Sequence, residues 1–113
     1  MTAQGSAHGR FTRAVKASNL FQVEVALREL GGVSLLDALD YLDLLAELKP
    51  AKVEQAALRW HGRLELEAST LSMAESQLAL AALAGLCAGQ RDAIQLLRRL
   101  LRRVKPTLVE KLP

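Results

Sequence analysis

Cysteine is nearly absent: Cys87 is the one thiol in 113 residues, which excludes a disulfide scaffold. Aromatic residues are almost as scarce, with Phe11, Phe21, Tyr41 and Trp60 the only four. Val and Ile together fill eight positions, so residues that favour strands are few. Long hydrophobic runs are missing too. The longest uncharged apolar stretch, 78–89, has twelve residues, short of the ~20 that a bilayer-spanning helix needs. The first nine residues are polar and small, with no apolar segment behind them, so no secretory signal is visible. With a single thiol, that pattern points to a soluble, cytoplasmic setting.

What the chain does have is leucine and alanine. They occupy 24 and 18 positions, and both are strong helix formers. Half of the residues are hydrophobic, which excludes intrinsic disorder. The length suits one domain, expected over 10–106, with a flexible N-terminal tail at 1–9 and a C-terminal tail at 107–113.

Three capping signals punctuate the sequence. Asn19 with Gln22, Ser34 with Asp37, and Ser72 with Glu75 each set a cap and its partner three residues apart. The cap side chain satisfies an orphan backbone N–H, and an acid in the first turn favours the positive helix end. Leu71 stands where a hydrophobic staple would. Pro50 suits a first turn, Gly31-Gly32 and Gly89 suit helix stops, and Pro106 ends the last helix. Six helices follow: 10–17, 20–30, 35–48, 51–67, 73–88 and 90–104. Short connectors make neighbours antiparallel. The expected fold is all-α, a compact bundle of five or six short antiparallel helices.

The apolar patterns differ between helices. In 51–67, Val53, Ala56, Ala57, Trp60 and Leu64 form one stripe, as on a surface helix. The helix near 73–88 has no polar face after Gln77. A helix apolar all round is buried by its neighbours, so it is expected at the centre, or else partly covered by a second copy of the chain.

The net charge of +3 conceals a segregation. Residues 1–18 carry three bases and no acid, 19–89 carry five bases and ten acids, and 90–113 carry seven bases and two acids. On the last helix Arg91, Arg98, Arg102 and Lys105 share a face, flanked by Arg99 and Arg103, opposite an aliphatic arc. The third helix is its complement: Asp37, Asp40, Asp43 and Glu47 line one face. Leu36 and Leu44 lie among those acids, and clustered exposed leucines generally have a partner. The acidic and basic helices either neutralise each other within one chain or meet between chains.

Few residues suggest chemistry. His61 and Glu65 are one turn apart, but a metal site needs three or four ligands. Cys87 sits in an apolar run with no neighbouring base, as an inert thiol does. Gly31-Gly32 is too short for a phosphate loop and lacks the Lys-Ser or Lys-Thr that follows one. Residues 26–39 have the outline of a helix-turn-helix, yet their second helix is acidic and would face a polyanion. No catalytic residue, cofactor or metal is implied. The expectation is a non-enzymatic interaction module that self-associates or binds a protein through the acidic and basic helices. Leu36, Asp37, Asp40, Asp43, Leu44 and Glu47 would form one contact surface, and Arg91, Arg98, Arg99, Arg102, Arg103 and Lys105 the other. The alternative is weakly specific nucleic-acid binding, through phosphates, by the basic helix.

Overall fold

The computed structural model describes residues 6–104. Six α-helices run in order: α1 Ala7–Lys16, α2 Leu20–Leu30, α3 Leu35–Leu48, α4 Val53–Glu67, α5 Met73–Cys87 and α6 Ala93–Val104, with one 3₁₀ turn, Pro50–Lys52, leading into α4. There is no strand among the described residues. The fold is the expected all-α bundle.

The expected caps form. The side chains of Asn19, Ser34 and Ser72 accept from the backbone N–H groups of Gln22, Asp37 and Glu75 at 3.2, 3.0 and 3.1 Å. Glu75 closes a full capping box by accepting from the Ser72 backbone N–H at 2.9 Å. Gly31 ends α2 in the left-handed conformation, φ 72°, its N–H bonded to Leu27 O. A fourth cap has no Asp, Glu or Gln three residues on to announce it. Ser6 accepts from Gly9 N at 3.0 Å, so α1 starts at Ala7, one turn earlier than the expected residue 10. α6 starts later than expected, leaving Arg91 in the connection before it. Lys105 and Pro106 lie outside the described residues.

α3 occupies the centre. It packs against α1, α2, α4, α5 and α6, with Leu35, Leu39, Leu42 and Leu45 fully buried. Trp60 of α4 closes over its start by donating its indole N–H to Leu35 O at 2.9 Å. This corrects the expectation that α5 is the central helix. α5 buries only Ala79, Ala82, Leu83 and Leu86, a single stripe with one face left open. Burial stabilises by about 0.8 kcal/mol per CH₂, so a leucine-rich helix gains far more from enclosure than an alanine-rich one. The Cα framework measures 44 × 39 × 19 Å. A plate that thin, about two helix diameters, has little room to surround many helices.

Candidate interaction surface

The acids of α3 serve the chain's own packing. Asp40 and Asp43 face α6 and the connection before it. Arg98 reaches Asp40 at 2.9 Å and Asp43 at 3.8 Å, while Arg91 reaches Asp43 at 2.8 Å and Glu47 at 3.7 Å. Asp37 is 2.9 Å from His8 of α1. Tyr41 donates its hydroxyl hydrogen to Glu24 of α2 at 2.8 Å. Acidic and basic helices therefore meet within one chain, the first of the two arrangements the sequence allowed.

Leu44 goes with them. It is only 5 % exposed and belongs to the core, so it is not available as a contact residue. Asp40 beside it is half-buried against Arg98 of α6, whereas Glu47 stays exposed. Leu36 stays half exposed. On α6, Arg103 pairs with Glu75 of α5. Arg99 and Arg102 are exposed and form no ion pair among the described residues. Thus three of the six basic residues singled out hold the fold together, two face solvent, and Lys105 lies outside the described residues.

Burial acts on the groups in these contacts. Desolvation raises the Asp40 carboxyl above its ordinary value, opposed by Arg98 and reinforced by Asp37 and Asp43. Desolvation, then the hydrogen bond to Glu24, pushes Tyr41 up to about 12. Burial, then the charge of Glu54, raises the Cys87 thiol, which disfavours the reactive thiolate.

His61 and Glu65 meet across Ser76 of α5. The Ser76 hydroxyl donates to Glu65 at 2.6 Å, and His61 Nε2 lies 3.0 Å from that hydroxyl and 3.1 Å from the Ser76 carbonyl oxygen. A carbonyl accepts only, so Nε2 is the protonated nitrogen. This clasp fastens α4 to α5 and leaves the serine hydrogen on a carboxylate.

Two further surfaces become visible in the structure. The first is the outer face of α5. Met73 is 83 % exposed, Leu78 and Leu80 nearly half, and Ala81, Ala84 and Ala88 lie in the open between them. Its outward polar group is Gln77, and no charge occurs from there to Gln90. The second is a cleft of about 210 Å³ between α3 and α4. Leu42, Ala56 and Trp60 form its floor, Ala38 and Tyr41 one side, and Arg59 and Arg63 its rim. Arg63 is held by Glu67 at 2.7 Å and by Val33 O at 2.7 Å. Arg59 forms no hydrogen bond or ion pair among the described residues and stands exposed. One turn beyond, Leu66 projects between Glu65 and Glu67 with 87 % of its surface open.

Among the described residues no helix is long and apolar enough to cross a membrane. Comparison with protein-family models, with curated proteins and with solved structures finds no match to this chain.

Proposed function

We propose that the chain is a non-enzymatic protein-interaction module in a cytoplasmic setting, and that its principal contact surface is the outer face of α5. The observation that carries this reading is the open, charge-free face of Met73, Leu78, Leu80 and their neighbouring alanines. Contiguous apolar surface of this kind marks interaction sites in small proteins. Alanines also let a second helix approach closely, as small residues do. The acidic and basic helices, first considered as the interface, are better read as internal clamps. That pairing also weakens the nucleic-acid alternative, because a cation already matched to a carboxylate releases few counterions on meeting phosphate.

The test is a capture from native extract after nuclease treatment, run in parallel with wild type and with the double variant Ala81→Glu, Ala84→Glu. Both positions point outward, so the core is spared. A protein, or the chain itself, held by wild type and lost by the variant supports the reading. Equal capture by both overturns it.

A further inference from the structure

From the cleft between α3 and α4 and from Leu66 beside it, we infer that α4 is a self-complementary surface, with a second copy of this chain as its occupant. The inference rests on the reading of the chain as an interaction module, but it concerns a different face.

Size narrows the occupant first. Pockets for small molecules and cofactors usually measure about 300–1,000 Å³, and this cleft has about 210 Å³. It is open to one side, apolar at its floor and cationic at its rim. It suits one bulky apolar side chain with a carboxylate close by. The chain carries such a group: Leu66, almost wholly exposed, stands between Glu65 and Glu67.

Symmetry makes the match reciprocal. When two α4 helices lie antiparallel across a two-fold axis at Arg63, Leu66 of one copy falls opposite Trp60 of the other. Arg59 falls opposite Glu67 in the same register. A two-fold interface uses the same patch on both copies, so each leucine fills the other's cleft and each Arg59 meets a carboxylate. The two Arg63 side chains meet near the axis with their charge already matched by Glu67. Glu67 has lone pairs enough to accept from both arginines.

Sedimentation velocity over a wide concentration range tests the inference. Wild type is expected to form a dimer that weakens about tenfold or more in Leu66→Glu, as truncating an interface anchor does, and to a similar degree in Arg59→Glu. Circular dichroism checks that both variants keep their helices. Mixing Arg59→Glu with Glu67→Arg restores both charge contacts in the mixed dimer, so the mixture should associate where neither variant does alone. A wild type that stays monomeric, or a dimer indifferent to Leu66→Glu, overturns the inference. If the dimer is lost in Ala81→Glu, Ala84→Glu instead, the second copy sits on α5; the interaction reading then stands and the α4 assignment fails.

Discussion

Arg98 of α6 holds its guanidinium 2.9 Å from Asp40 and 3.8 Å from Asp43, two acids on adjacent turns of α3. It is the cation between carboxylates that are partly withdrawn from water, and burial holds Asp40 above its ordinary value in spite of it. The two partners are therefore unequal. Arg98→Ala leaves partly buried carboxylates facing each other and should cost about 1–2 kcal/mol, the range of a charge-assisted hydrogen bond after discount for exposure. Asp40→Asn removes a desolvated charge along with the pair and should change stability by less than about 1 kcal/mol. Urea unfolding at neutral pH measures both.

The same shift sets a pH dependence. A carboxyl whose folded pKa is raised favours folding below its unfolded value, and that contribution disappears as pH rises through the folded value. Relative to Asp40→Asn, wild type should gain stability as pH falls from 7 toward 4. Urea midpoints at several pH values in that window check the sign. A gap that moves the other way contradicts it.

Tyr41 is the one tyrosine in the chain, so its ionisation can be followed without interference. Burial and the bond to Glu24 hold it near 12, against the ordinary 10.0. Stability from this group is present below pH 10 and is lost as pH rises toward 12. Absorbance at alkaline pH should show late ionisation in the native chain and ordinary ionisation in urea. Tyr41→Phe should flatten the alkaline loss of stability.

Glu75 does two things. It closes the capping box of α5 at the Ser72 backbone, and it holds Arg103 of α6. Ser72→Ala removes one cap and should cost about 1 kcal/mol. Glu75→Ala loses its part of the box and the link between helices, so it should cost at least as much. Thermal unfolding of the two variants ranks them.

Gly62 offers a test of α4 that leaves its contact face untouched. A Cβ there has open space, and alanine in a helix interior is favoured over glycine by about 0.5–1 kcal/mol. Gly62→Ala should therefore stabilise the dilute chain toward urea by about that amount. Association at high concentration should change little, because position 62 points about 100° around α4 from Arg63 and lies off the contact face.

Much of this architecture was legible in local sequence. Asn19, Ser34 and Ser72 declared three helix starts because a cap and its partner are three residues apart and need no distant help. Ser6 was missed because Gly9 supplies only a backbone N–H, which leaves no mark in the side-chain pattern. Arg91 was placed on the last helix because its angle fits the basic stripe, although the chain turns before the helix begins.

Function proved harder to locate, for a related reason. The acids of α3 and the arginines of the last segment announced a complementary pair, and residue types cannot say whether such a pair closes within one chain or between two. Leu44 reads as an exposed leucine among acids until other helices of the chain cover it. Leu66 looks like an ordinary surface residue until α3 and α4 form a cleft beside it.

By itself the sequence determined the helical class, most helix boundaries and the segregation of charge, since these depend on neighbours within a few residues. Tertiary structure decided which apolar face is enclosed and which is left open. α3 rather than α5 became the centre because enclosure stabilises in proportion to apolar area, and leucines carry more of it than alanines. The open face of α5 and the cleft beside Leu66 are what that choice left for a partner.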